Sequence, residues 1–230
     1  MLRFYFHHTP NPLKVALFLE ESGLPYEVVP VDVFKGEQHT AEYSAINPNG
    51  KVPAIVDGST VVFDSNAILL YLGEKTGQFM GDAGDRGQLY SWLMFVATGV
   101  GPFSGQAVHF QHMAPEQLPY AINRYRREVE RHYGVLNHRL QNQQYVVGDD
   151  YTIVDMAVWG WIERFPRVLG EDALDEFPHL KAWYERVNAR SAVERARSVG
   201  KDISFKMDFD EETRRSLLPQ NYPKTGVKVK

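Results

Sequence analysis

The clearest periodicity in the chain runs from residue 116 to 141. There Leu118, Ile122, Tyr125, Val129, Tyr133, Leu136 and Leu140 follow one another at steps of 4, 3, 4, 4, 3 and 4. That spacing places all seven on one face and predicts a long amphipathic helix. The rest of the second half is also helical in pattern. Residues 88 to 113 form an aromatic-rich stretch broken by Gly99, Gly101, Pro102 and Gly105, where the proline predicts a kink. Thr152-Ile-Val-Asp155 has the spacing of a capping box, with Asp where Glu is usual, before an apolar helix over 153–165. One or two further helices are predicted over 178–198.

The first half alternates. Residues 2–6 predict a strand, and Asn11-Pro12 a helix start, with Asn as cap and Pro at the first helical position, continuing to about Ser22. Gly23-Leu24-Pro25 ends it. Residues 26–33 are Val-rich and strand-like, and a short helical piece falls at Ala41 to Ser44. Two β-rich runs, 53–56 and 60–63, flank Asp57-Gly58, a hairpin signal. Asp64-Ser65 then opens an apolar helix. The Gly- and Asp-rich segment after it reads as a linker. The predicted organisation is therefore an α/β domain over 1–77, a linker over 78–87, an all-helical domain over 88–200 and a polar tail over 201–230. The tail, which carries Pro219, Pro223 and a Lys-rich end, is either disordered or draped over the first domain.

Composition narrows the function. The 25 basic and 29 acidic residues nearly cancel, giving a net charge of −4, which argues against nucleic-acid or anionic-membrane partners. No apolar run approaches the length of a membrane span, and the start is a strand pattern rather than a signal peptide, so the cytoplasm is the default location. The 230 residues contain no cysteine. Cys-based zinc sites and a Cys nucleophile are thereby excluded, and any thiol chemistry must be carried by a bound small molecule.

The segment from Asn47 to Lys75 holds the densest candidate chemistry. Ser65 reads as an N-cap beside free helix N–H groups, which suit a carboxylate. Asp64 can accept from an ammonium group. A cis Val52-Pro53 bond would turn the Val52 backbone outward to pair with an extended ligand. An ordinary hairpin followed by a capped helix fits the same residues. Together these groups suit the γ-glutamyl end and the central residue of glutathione.

In pattern and order, residues 1 to about 200 resemble the glutathione transferase superfamily, with a thioredoxin-like N-terminal domain and an all-α C-terminal domain. Thr9-Pro10-Asn11-Pro12 and the 101–110 segment, Gly-Pro-Phe-Ser-Gly-Gln-Ala-Val-His-Phe, resemble the bacterial nu class. The resemblance implies a homodimer that uses glutathione as co-substrate to reduce small disulfides, with weaker peroxide and transfer activities on electrophiles. It also implies that Thr9 and Asn11 contact the glutathione sulfur, that Gln38 meets the glycyl end, and that Arg131 contacts ligand. A hydroxyl and a helix N-terminus are what a thiolate needs near neutral pH. Asn11 can equally be a plain cap, and Tyr5 is the second candidate for sulfur activation, although its place in the alternating strand suits a structural role. Lys51 could pair with the glycyl carboxylate. Arg131 lies among Arg124, Arg126 and Arg127, so a solvated charged face competes with ligand contact. His109 and His112 stand at helical i, i+3 spacing but lack a third metal ligand. A second-substrate pocket formed by Phe103, Gln106, His109 and Phe110 is expected instead. His7 and His8 receive no catalytic role. The alternative from a different class is a non-catalytic binding or regulatory module, since this fold has been reused for such roles.

Overall fold

The computed structural model describes residues 1–222. The Lys-rich end over 223–230 lies outside the described residues. The chain opens with β1 (Leu2–Phe6), α1 (Pro10–Ser22) and β2 (Tyr26–Pro30). The short helix α2 (Ala41–Ser44) follows, then β3 (Ala54–Asp57), β4 (Thr60–Phe63) and α3 (Ser65–Thr76). The sheet order is β2-β1-β3-β4, with β1 parallel to β2, and β3 antiparallel to both neighbours. This is the thioredoxin-like arrangement.

Strand alternation divides the buried side chains between two faces. Phe4, Phe6 and Ile55 enter the main core with α1 and α3. Tyr5, Ala54 and Val56 enter a smaller core with Val31, Val33 and Tyr43. Tyr5 therefore stands on the face opposite α1, packed against Tyr43 at 5.7 Å between ring centroids.

The helical half comprises α4 (Arg86–Phe95), α5 (Gly101–Val108), α6 (Pro119–Arg139), α7 (Ile153–Ile162), α8 (Phe165–Val168), α9 (Pro178–Asn188) and α10 (Ser191–Ser198). Wider π-helical turns, Val96–Val100 and His109–Met113, flank α5. The first lies just before Pro102, where the widened turn accommodates a residue without an N–H. On α6, Val129, Tyr133 and Leu136 are buried, as the periodicity requires. The box at the start of α7 is complete: the Asp155 carboxylate, fully buried, accepts from the N–H of Thr152, the N–H of Val146 and the Trp183 indole. Burial raises its pKa, and these donors act in the opposite direction.

Helix α7 packs directly on α1, and Gly160 makes the close approach possible. A Cβ there would lie 2.7 Å from the Pro10 carbonyl and 2.5 Å from Lys14 Cγ. After α10 the chain crosses back over the first domain and ends in α11 (Glu211–Leu217). Asp32 Oδ2 accepts from the Lys206 N–H at 2.8 Å, and Phe205 packs on His7. The described part of the tail thus lies across the first domain.

Candidate functional site

The start of α1 differs from the expected one by two residues. Thr9, not Asn11, precedes the first helical residue, in an extended conformation and with no side-chain cap bond. Its hydroxyl is left for other partners. Pro10 and Pro12 carry no N–H, so Asn11 holds the free N–H of this first turn. The Asn11 amide is oriented from the helical domain. Trp161 Nε1 lies 3.1 Å from Asn11 Oδ1, and an indole N–H can only donate. The carboxamide oxygen therefore faces Trp161, and its NH2 is directed elsewhere. A hydroxyl, a carboxamide NH2 and a backbone N–H thus gather at one helix start.

The start of α3 also differs from expectation. Asp64 is the cap, with φ 71°, and its Oδ1 accepts from the N–H groups of Asn66 (2.9 Å) and Ala67 (3.2 Å). Two of the helix N–H groups expected to be free are thus satisfied within the chain. What remains for an anion is Ser65 itself, at the first helical position, with the second Asp64 oxygen beside it for a cation.

Beneath Ser65 lies a group that the sequence reading passed over. Lys14 is fully buried in α1, and its Nζ lies 3.3 Å from Ser65 Oγ. Burial brings its pKa down to about 7, with the Asp64 charge acting in the opposite direction. Since the ammonium can only donate, Ser65 Oγ accepts from it and its own hydrogen is free to point at a ligand. The one available signal was a lone lysine inside the apolar run Leu13 to Leu19, which has no polar face for it to occupy.

The Val52-Pro53 bond is cis. Neither Val52 backbone group is hydrogen bonded among the described residues. Tyr43 Oη and Asn47 Nδ2, each at 2.6 Å, hold the preceding Lys51 carbonyl. Gln38 and Lys51 stand close by, but both already have partners in the tail. Gln38 Nε2 donates to the Ser216 carbonyl at 2.9 Å, His39 Nε2 lies 2.8 Å from the same oxygen, and Lys51 Nζ reaches the Leu217 carbonyl at 3.4 Å. The carbonyl end of α11 therefore sits on the donors nominated for the glycyl carboxylate.

The expected second-substrate residues do not come together at Thr9. Phe110 stacks on Tyr125 of α6, and Phe103 packs against Tyr125 and His132. Gln106 is exposed. His109 lines a smaller adjoining cavity with Arg214, which shares Met113, Phe209 and Leu217 with the one at Thr9. The cavity that does open at Thr9, of about 450 Å³, takes Gly105, Val108 and Met113 from this stretch and adds Trp161, Arg164 and Arg167. The difference is one of helical phase: positions 105 and 108 face the first domain while 103 and 110 face α6. Arg131 is not part of this cavity, since Glu128 Oε1 holds its guanidinium at 2.6 and 2.8 Å. Arg131, and then Arg124 at 2.9 Å from the other oxygen, hold the Glu128 carboxylate down at about 2. Among the described residues there is no cluster of metal-ligating side chains.

A thioredoxin-like domain, with open donors at its first helix and an acid–hydroxyl pair at its third, joined to an all-helical domain, defines the architecture of glutathione-using transferases. The chain belongs to the glutathione S-transferase family: the model of the N-terminal domain matches residues 8–75 and that of the C-terminal domain residues 102–191. It is 43% identical over 204 residues to the disulfide-bond oxidoreductase YfcG of Escherichia coli, covering 85% of this chain and 94% of that one. It is 37% identical over 219 residues to the disulfide-bond oxidoreductase YghU of the same organism, covering 87% and 75%. Among solved structures, a glutathione transferase from Burkholderia graminis with two glutathione molecules bound per subunit superposes with a TM-score of 0.80 at 36% identity, covering 87% and 88%. One from Pseudomonas putida with one glutathione disulfide per subunit gives 0.82 at 33% identity, covering 86% and 91%.

Proposed function

We propose that this chain is a nu-class enzyme that binds glutathione along its first domain and uses the bound thiolate to reduce small disulfides. The observation that carries this reading is the set of uncommitted donors at the start of α1: the Thr9 hydroxyl, the Asn11 N–H and the Asn11 NH2 oriented by Trp161. Such donors favour the charged form of a sulfur placed among them. Ser65 and Asp64 receive the γ-glutamyl carboxylate and ammonium, Val52 pairs with the central residue, and Pro53 holds the turn behind it. Gln38 and Lys51 take the glycyl carboxylate once the tail carbonyls give way. Because the chain has no cysteine, the thiolate of glutathione is the only thiol nucleophile available.

The same thiolate serves peroxide reduction and transfer to electrophiles, so a turnover panel ranks the activities. With reduced glutathione, hydroxyethyl disulfide is expected to turn over faster than cumene hydroperoxide or an aryl halide. Glutathione binding without turnover of any of the three would instead favour a binding or regulatory module.

The active form is a homodimer in the cytoplasm, where glutathione is kept reduced. Exposed Val61 and Phe63 on β4, with Tyr90 and Met94 on α4, supply apolar surface for the subunit contact, to which Arg131 could add a ligand contact. Among the described residues no helix is long and apolar enough to cross a membrane.

A further inference from the structure

The cavity at Thr9 has a charge pattern that glutathione itself does not require. Its wall is largely apolar, formed by Pro10, Phe34, Val108, Met113 and Trp161, with Met207, Phe209 and Leu217 from the tail. No aspartate or glutamate lines it, whereas Arg164 and Arg167 both do.

Neither guanidinium is paired with an acid among the described residues. The nearest carboxylate in sequence, Glu163, is taken by Arg197 Nε and Nη2, each at 2.8 Å, and by Tyr184 Oη at 2.8 Å. Other arginines of this chain are ion-paired, among them Arg190 with Glu21, Arg195 with Glu20 and Arg215 with Glu211. Burial lowers the pKa of Arg164, the Glu163 charge acts in the opposite direction, and Arg167 lowers it further; an arginine nevertheless stays charged at neutral pH. His8, on the same wall, has its pKa lowered by burial and then by Arg164, so it is neutral there. Two like charges on the wall of a largely apolar cavity that carries no acid form a pattern that a bound anion would complement.

Resting on the reading that a glutathione sulfur lies at Thr9 and Asn11, we propose that this cavity selects the second half of the disulfide, and that its ligand is a thiol-derived group with a carboxylate on a small apolar body, paired with Arg164 and Arg167. In the exchange, the glutathione thiolate attacks one sulfur of the disulfide RS–SR. A bond forms between those two sulfurs, the original S–S bond breaks, and its electron pair leaves on the second sulfur as RS⁻, which takes a proton from water. The product is the mixed disulfide of glutathione and R, with its glutathionyl half along the first domain and R in the cavity.

That product is the probe. Three mixed disulfides of glutathione, with mercaptopropionate (anionic), mercaptoethanol (neutral) and cysteamine (cationic), are titrated calorimetrically into the full chain. The mercaptopropionate form is expected to bind about tenfold or more tighter than the cysteamine form, as a hydrogen-bonded charge pair implies. In Arg164→Gln, and separately in the exposed Arg167→Gln, this gap should narrow while reduced glutathione binds as before, which also reports that the variants are folded. Equal affinity for the three in the wild-type chain overturns the proposal, whatever the turnover. A charge preference without turnover leaves the pocket standing and removes the enzymatic reading. If none of the three binds, the pocket falls, and binding of reduced glutathione then decides whether the glutathione site falls with it.

Discussion

Lys14 shows how a single buried charge ties the site to pH. Its amine loses solvent in the folded chain, so its pKa drops from the usual lysine value to about 7. The unfolded chain keeps a proton that the folded chain gives up, and this group therefore makes stability rise with pH above 7, until the solvated amine itself deprotonates. Ligand binding acts in the opposite direction. A carboxylate arriving at Ser65 favours the ammonium and raises the pKa, so binding takes up a proton at pH values just above 7. S-methylglutathione has no thiol to ionise and isolates this effect. Its binding enthalpy at pH 7.5–8 is expected to vary with the ionisation heat of the buffer in the sense of proton uptake, and Lys14→Met should abolish that variation. A buffer-independent enthalpy in the wild-type chain would show that Lys14 does not respond to the ligand.

At the scale of elements, the helices and strands were largely legible, because each side-chain period matches one buried face. The run from Leu118 to Leu140 locates α6, and the Thr152–Asp155 spacing locates the start of α7. The starts of α1 and α3 each moved because two residues close in sequence were both credible caps. Thr9 competes with Asn11, and Asp64 with Ser65, and only tertiary contacts choose between them. The position of the tail could not be read from a polar segment, whose partners lie more than 170 residues away. Its last helix, α11, now places the Ser216 and Leu217 carbonyls on Gln38, His39 and Lys51. A glycyl carboxylate would need the same donors, so tail and ligand compete. A chain ending at Asp208 is expected to bind reduced glutathione severalfold tighter than the full chain. Unchanged or weaker affinity would show that the tail coexists with the ligand.

At the scale of the whole molecule, the site belongs to neither half alone. Thr9 and Asn11 come from the first domain, yet Trp161 orients the Asn11 amide, and Gly160 admits Lys14 and the Pro10 carbonyl against α7. This joint construction explains why the first-domain candidates could be nominated from local motifs and resemblance while Lys14, Trp161, Arg164 and Arg167 were passed over. The former lie in short local motifs, whereas the latter acquire meaning only when α7 packs on α1 and α8 on α5. The subunit contact belongs to this scale too: light scattering should give twice the 26.3 kDa chain mass, and the mass of one chain at micromolar concentration would contradict the dimer.

The central claim is that Thr9 and Asn11 hold glutathione as its thiolate. The most direct test is the pH profile of kcat/KM with hydroxyethyl disulfide for the wild-type chain and for the double variant Thr9→Ala, Asn11→Ala. Losing one pKa unit of stabilisation corresponds to about 1.4 kcal/mol and cuts the thiolate fraction at neutral pH severalfold. A less stabilised thiolate is also more nucleophilic, so the rate should fall by less than the thiolate fraction does. The account predicts a profile displaced to higher pH, with a large loss at pH 7 that shrinks towards pH 9. A double variant that keeps the wild-type profile would contradict it and place sulfur activation elsewhere in the chain.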